Sequence, residues 1–246
     1  MIQLDTIYNC ECIEGMKQIP DGSIDCVICD LPYGTTACKW DSVIPFEPLW
    51  EQYKRVAKSN AAIVLFGSEP FSTMVRMSNI KDYKYDWVWE KEQGVNQYLC
   101  KFQPLRIVEN IMVFYADTCT YNPQMSKGTA YVSNRELGCE CYGEKKNVKT
   151  VNNGERYPVN LLRFPRETDA LTRFHPTQKP VNLIRYLVLT YSNEGDTILD
   201  NCMGSGTTAI ACIKEKRHYI GYELNKEYYD KACERIKRER QQPTLF

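Results

Sequence analysis

The chain has 246 residues, enough to bury a sizeable core as one domain carrying an insertion. Its 31 Lys and Arg balance its 31 Asp and Glu, which excludes binding to nucleic acid through bulk positive charge and leaves only local segregation of charge. No apolar run approaches the ~18 residues of a membrane helix, and residues 1–14 lack the charged-then-apolar pattern of a signal, so the expected location is cytoplasmic.

Residues 24–29 form an apolar run of strand length that leads into Asp30-Leu-Pro-Tyr-Gly34, which Pro32 keeps out of a helix. Residues 48–58 repeat apolar side chains at helical spacing (Leu49, Tyr53, Val56), and residues 61–66 read as a buried strand closed by Gly67. Strand, helix, strand implies a parallel sheet. Further strands are expected at 86–89 and 107–115. From 118 to 174 the periodicity dissolves, and nine Lys and Arg face six Asp and Glu; so long an irregular stretch is usually functional or disordered. Regular structure returns with a helix at 183–191, a strand at 197–199, a helix at 207–216, a strand at 219–223 and a last helix at 227–240.

Twelve cysteines include a Cys26-x-x-Cys29 pair with zinc-ligand spacing. Within a strand those two side chains point to opposite faces. Cys10 with Cys12 and Cys139 with Cys141 are too close for a zinc knuckle, and only two histidines exist. No metal is expected; most of the cysteines read as reduced, small apolar fillers.

Two segments carry chemistry. In the first, a strand ends at Asp200 and passes through Asn201-Cys202-Met203-Gly204-Ser205-Gly206 into a helix that opens at Thr207. Glycines let a backbone approach a ligand closely, and a helix N-terminus offers unpaired N–H groups to a carboxylate or phosphate. Glu223 ends the next strand, nineteen residues after Gly204, where an acid can bond both hydroxyls of a ribose. Ala209 replaces the third glycine of a dinucleotide fingerprint and no Gly-Lys-Ser/Thr loop occurs, which argues against a pyrophosphate site. The bland reading is a strand–helix–strand unit with a tight turn and a surface acid.

The second segment is Asp30-Leu31-Pro32-Tyr33. A carboxylate beside a proline-stiffened carbonyl presents two acceptors in fixed geometry, which suits the two N–H bonds of an exocyclic amine. Tyr33 offers a face on which an extruded base could stack, worth roughly 1–3 kcal/mol. The bland reading is an ordinary strand-to-loop turn. Both loops follow strands, and in an open α/β sheet such loops line one cleft.

Taken together, these residues resemble the amino-methyltransferases acting on DNA in the permuted, β-class arrangement, over nearly the whole chain and closest to the short enzymes of phages and prophages. The resemblance implies an α/β, permuted Rossmann-like S-adenosylmethionine-dependent methyltransferase fold: a mostly parallel sheet, helices on both faces and an inserted target-recognition region. It divides the chain into a catalytic half (1–117), the insertion (118–174) and a cofactor-binding half (175–246). His175-Pro-Thr177-Gln178-Lys179-Pro180 is similar to the family's cofactor-proximal motif, which places His175, Thr177, Gln178 and Lys179 by the methionine end. The segment around Cys10-Glu11-Cys12 resembles the one in which an acid approaches the adenine ring, so Glu11 takes that role. Leu31 departs from the family's first proline but preserves the carbonyl that the family uses.

By the same resemblance, Asp30, Leu31, Pro32 and Tyr33 are catalytic, and the cofactor contacts are Glu11, Asp30, the four residues of the His175 motif, Asp200, Cys202 to Thr207, and Glu223. The target base leaves the duplex, and Asp30 and the Leu31 carbonyl accept its amine hydrogens, with no metal and no covalent enzyme intermediate. Adenine N6 is favoured because Asp opens this loop in the family's adenine enzymes and Ser in most N4-cytosine enzymes; N4-cytosine is the alternative, and a catalytically inert DNA-binding module of the same fold the next. A methyltransferase for RNA or a small molecule lacks a reason for the long polar insertion, and a nicotinamide oxidoreductase leaves the Asp30 loop unexplained.

Lys127, Arg135, Lys145, Lys146, Lys149 and Arg156 are expected to contact phosphates of double-stranded DNA, the alternative being a solvated loop. The tail, Gln242-Pro-Thr-Leu245-Phe246, looks like the short peptides that dock on bacterial sliding clamps, although two apolar residues could simply tuck against the domain. Pairing with a second copy and a companion restriction nuclease are left open. The resemblance points to a bacterial or phage-infected cell.

Overall fold

Runs at the six expected strand positions, joined by two short strands that were not expected, assemble an eight-stranded sheet in the computed structural model, which describes residues 2–36, 38, 41–137, 146–167 and 173–241. The strands are β1 (Thr6–Tyr8), β2 (Ile24–Cys29), β3 (Ala57–Gly67), β4 (Tyr83–Val95), β5 (Arg106–Phe114), β6 (Ser126–Lys127), β7 (Tyr131–Leu137), β8 (Lys146–Asn152), β9 (Glu155–Arg156), β10 (Leu161–Arg163), β11 (Thr197–Asp200) and β12 (His218–Tyr222). The helices are α1 (Cys12–Met16), α2 (Phe46–Val56), α3 (Phe71–Ser78), α4 (Val181–Tyr191), α5 (Thr207–Lys214) and α6 (Lys226–Gln241).

The main sheet has the order β1-β12-β11-β2-β3-β5-β4-β10, and only β5 runs against the others. β2 and β11 are neighbours, yet the chain leaves β2 toward β3 and leaves β11 toward β12. That divergence is a topological switch point, where a crevice opens beyond the carboxyl ends of the strands.

Helices cover both faces. Met16, Leu49, Tyr53, Val56 and Phe71 from α1–α3 pack with Val27, Cys29 and Leu65 on one side. Leu183, Leu187 and Ile210 from α4 and α5 pack with Cys26, Ile28, Val64 and Phe66 on the other. A strand buried on both faces reads as continuous apolar sequence, which is why β2 was legible. Cys26 and Cys29 fall into opposite layers, as strand alternation demands.

The differences from expectation have local causes. β4 is 13 residues long, far beyond 86–89, because Lys84, Glu90, Lys91 and Glu92 interrupt its apolar signal. The helix expected to reach 216 ends at Lys214, since Lys216 takes a left-handed φ of 57°. The five-residue α1 is too short for a periodic signal; Glu11 caps it, its carboxylate accepting the N–H groups of Ile13 and Glu14.

Residues Pro123–Val159 form a compact unit of their own, shorter at both ends than the irregular stretch of sequence. It holds two antiparallel pairs, β6 with β9 and β7 with β8. β10 lies outside it and joins the main sheet beside β4, burying Leu162. Within the unit the Arg156 guanidinium bonds the Asn152 side chain and the Thr129 carbonyl and lies over the Tyr131 ring at 4.9 Å. Arg156 thus braces its own unit. No helix among the described residues is long and apolar enough to cross a membrane.

One buried bond ties α2 to the turn after β11: Tyr53 Oη donates to Asn201 Oδ1 at 2.5 Å. Tyr53→Phe leaves that acceptor unpaired in the core and should lower stability by about 1–3 kcal/mol. Urea unfolding measures it; an unchanged midpoint and slope would show that the bond does not hold the turn.

Candidate active site

A cleft of about 920 Å³ opens at the carboxyl edge of the sheet. All the catalytic and cofactor residues expected from sequence line it except Gly206. β2 delivers Asp30 to one wall, and β11 and β12 deliver Asp200 and Glu223 to the other. Leu31, where the resembling family has a proline, buries its side chain among the α1–α3 core and so anchors the loop by packing. After Tyr33, Asp41 accepts the N–H groups of Gly34 (2.9 Å), Thr35 (3.0 Å) and Thr36 (2.7 Å), which fixes the following turn.

Asp30 is the hub of an ionic cluster. Its Oδ2 receives the Lys179 ammonium at 2.5 Å and its Oδ1 faces the Tyr33 hydroxyl at 2.8 Å. The same hydroxyl lies 2.7 Å from Glu109 Oε1, and Lys179 Nζ is 3.0 Å from that oxygen. Lys91 completes the set at 2.6 Å from Glu109 Oε2. Tyr33 has one proton for two carboxylates, so it can serve only one of them at a time.

The electrostatics separate the two acids. Burial opposes ionisation of Glu109, but Lys179 and Lys91 outweigh it and hold its carboxyl at about 2. Asp30 is pushed above its ordinary value by burial and by the neighbouring Glu109 charge, against the pull of Lys179. Lys179 loses some basicity to burial and regains more from the two carboxylates, so it remains charged. A pair of titratable groups driven apart in this way is a mark of a reactive site.

Phe71 stacks on Tyr33 with centroids 4.9 Å apart and planes 25° from parallel. Phe71 thus takes one face of the ring, and the Lys179 ammonium lies 5.9 Å from its centroid.

On the other wall the turn from Asp200 to Gly206 is held by its own polar groups. Asp200, buried, accepts the Cys202 N–H at 3.1 Å and the Thr208 hydroxyl at 2.6 Å, and burial raises its pKa to about 6. Gly204 sits at φ 51°, and its N–H reaches Glu223 Oε2 at 2.8 Å. Glu223 Oε1 takes the Asn225 N–H at 2.7 Å and the Leu224 N–H also bonds the carboxylate, whose four lone pairs still leave acceptor capacity for a ligand hydroxyl. Gly206, at φ 76°, faces α6, where a Cβ would meet Ala232 at 3.3 Å, and it does not line the cleft. Met203 is almost wholly buried against Gly221 and bonds the Tyr222 carbonyl through its N–H. Ser205 and Thr207 hydroxyls lie 3.0 Å apart, and Arg235 braces both residues.

His175 is buried beside Tyr228, and its Nδ1 lies 3.1 Å from the Thr177 hydroxyl. Burial and then the Lys179 charge hold it down to about 4, so it is neutral near pH 7. Gln178 is buried and lines the cleft, as does the exposed Thr177. Glu11 reaches the rim while capping α1.

The sequence reading missed Glu109, Lys91 and Asp41. A signal for Glu109 was present: it is the one acid in the run from Ile107 to Phe114, apolar but for it and Asn110, and a carboxylate buried in a central strand needs partners. Of the residues expected to meet phosphates, Lys127 and Lys149 are exposed on β6 and β8; Arg135 and Lys146 lie on β7 and β8. Lys145, and Gln242, Leu245 and Phe246 of the tail, lie outside the described residues.

A family model described as DNA methylase matches residues 24–234. Among curated relatives, the DNA adenine methyltransferase YhdJ of Escherichia coli is 28% identical, over 94% of this chain and 82% of the relative. The Type II methyltransferase M.HpaI of Haemophilus parainfluenzae is also 28% identical, over 91% of this chain and 71% of its own. Among solved structures, the M1.HpyAVI-SAM complex superposes with a TM-score of 0.63 at 20% identity, covering 94% of this chain and 98% of that one. The cytosine-N4-specific PvuII DNA methyltransferase gives 0.68 at 14% identity, covering 98% and 87%. At such identities the two structures establish the fold.

The cluster makes a directional prediction. Glu109→Gln removes a negative neighbour and leaves Lys179 to Asp30 alone, so the Asp30 carboxyl should titrate at lower pH than in the unaltered protein. Carbon-13 NMR of labelled aspartate side chains reads the shift; a titration that stays put or moves upward would show that Glu109 does not act on Asp30.

Proposed function

Because the chain belongs to the DNA methylase family, whose model spans most of it, we propose that it transfers the methyl group of S-adenosylmethionine to the N6 amine of adenine in DNA. The observation that carries this reading is the single cleft in which the Asp30 carboxylate and the Asp200–Thr207 turn face each other. Adenine is supported by Asp at the head of the catalytic loop and by the adenine specificity in the name of YhdJ. The cytosine-N4 structure is similar at too low an identity to speak for this chain's target base.

The residues present fit the cofactor. Glu223 keeps acceptor capacity for the ribose hydroxyls, Glu11 stands at the rim for the adenine, and Thr177 to Lys179 border the part of the cleft nearest Asp30. When bound, S-adenosylmethionine supplies a methyl group made electrophilic by its sulfonium. The chain's own work is on the base. Asp30 and the Leu31 carbonyl accept the two amine hydrogens and draw the nitrogen lone pair out of the ring. For that, Lys179 gives up Oδ2 of Asp30 and stays on Glu109, its second carboxylate. The face of Tyr33 away from Phe71 stacks on the extruded base. The raised pKa of Asp30 makes it the better acceptor for the proton that the methylated amine sheds. Rate comes from positioning and from charges fixed in advance.

Double-stranded DNA is the substrate in this reading, and the Pro123–Val159 unit reads its sequence, with Lys127, Arg135, Lys146 and Lys149 on phosphates. The Gln242-to-Phe246 tail serves docking on a sliding clamp, which places the enzyme with replicating DNA in the cytoplasm.

Asp30→Ala should abolish transfer of tritium from labelled cofactor to DNA, at least a thousandfold by the scale of lost preorganised acceptors (about 10³). Cofactor binding by calorimetry should stay within a few-fold. Modified-base sequencing of DNA from cells expressing the unaltered chain should report N6-methyladenine at one recurring sequence. Near-normal transfer by the variant would remove Asp30 from the reaction, and N4-methylcytosine in the sequencing would overturn the adenine assignment.

A further inference from the structure

Beyond Glu90 and Glu109 the strands β4 and β5 leave the sheet and pair only with each other, the last rung joining Val95 to Arg106. They form an arm that rises from the carboxyl edge, the edge that bears the cleft. Val95, Asn96, Tyr98, Leu99, Arg106 and Val108 line the cleft mouth. The tip is built and not loose: Asn96 turns the chain at φ 67°, a 3-10 turn follows at Gln97–Leu99, and the N–H groups of Leu99, Cys100, Phe102 and Gln103 all bond carbonyls within the tip.

What the tip displays is unusual for a surface. Tyr98 is 98% exposed and Phe102 85%, with Leu99, Leu105, Ile107 and Val108 also open. A contiguous apolar patch of this kind marks an interaction surface. Its charge names the partner: residues 93–108 contain no Asp or Glu, and Lys101 and Arg106 are both exposed. An uncovered pair of aromatics flanked by cations suits stacked bases between phosphates.

We propose that the β4–β5 arm is the wedge that enters the duplex beside the target, with Tyr98 and Phe102 occupying the space left by the extruded base and Lys101 and Arg106 on the flanking phosphates. A base that leaves the stack opens a gap whose neighbours lose their stacking partner, and an aromatic side chain restores part of that contact. The arm is at the mouth of the cleft that receives the base, so gap and receptor are filled in one movement. The inference rests on the methyl-transfer reading and gives that site its means of opening DNA.

The test compares the full chain with Tyr98→Ala/Phe102→Ala on two substrates bearing the sequence found by modification mapping. One is a normal duplex; in the other the target adenine stands opposite an abasic position and is already unpaired. On the duplex the variant should lose at least about tenfold in kcat/KM, the scale of a lost base–aromatic stack, and on the unpaired target less than about threefold. With 2-aminopurine at the target, the fluorescence rise on binding should fall in the same variant. Tyr98→Ala alone, at a side chain open on all sides, keeps the test available if the double variant does not fold. Equal losses on both substrates, or no loss on either, would overturn the wedge. A change in sedimentation with equal losses would overturn it too, and would assign the patch to a second copy. If the unaltered chain methylated neither substrate, the methyl-transfer reading would fall and take the wedge with it.

Discussion

The Lys179 ammonium, shared between Asp30 and Glu109, is the contact on which the site depends. Two carboxylates brought this close in a cleft of low dielectric cannot both ionise unless a cation lies between them. Lys179 comes from the segment before α4, Asp30 from the end of β2 and Glu109 from β5, so the charge also pins three distant stretches of chain together. Lys91 adds a second ammonium on the far side of Glu109, and the cluster becomes neutral as a whole. Its internal division is uneven: Glu109 is the fixed anion, and Asp30 is the one whose partner can be exchanged.

The sheet makes this arrangement available. With seven strands pointing one way, their carboxyl ends gather along one edge, and the switch between β2 and β11 opens the crevice there. β5 is the exception, and its reversal matters, because it brings the beginning of the strand, with Glu109 near it, to the edge where the other strands finish. A parallel strand in that place would present its carboxyl end instead.

The parts legible in sequence were those with local signals. β2, β11 and α4 are mostly apolar because both faces of the sheet are covered, and the glycine turn and the Asp30 loop carry short, specific motifs. What escaped was set by tertiary contacts. Glu109 looks like a misplaced acid until Lys91 and Lys179 are seen around it, and β4 fades at both ends because charged residues there answer to partners, not to burial. The irregular stretch hid a small antiparallel unit whose strands are mostly polar and show no alternation, together with β10, whose three residues are too few to show a period. Gly206 was legible as a required glycine, but its close approach to α6 was not.

A buried quartet of charges is a poor way to stabilise a fold, since desolvation of each ion offsets most of the attraction, and apolar residues of similar size would often do as well. The stability of this chain comes from the two apolar layers on either face of the sheet, which are continuous and need nothing from the cluster. Its presence at the crevice is therefore explained by chemistry: an acid poised above its ordinary pKa, an ammonium with a second place to rest, and a phenol with one proton for two acceptors. In the proposed reaction each is a group whose partner changes when an amine arrives, whereas a site made only for packing would have no such slack. The same distinction separates Arg156, which bonds an amide side chain and backbone carbonyls of its own unit, from Lys179, which is shared between two carboxylates in the cleft.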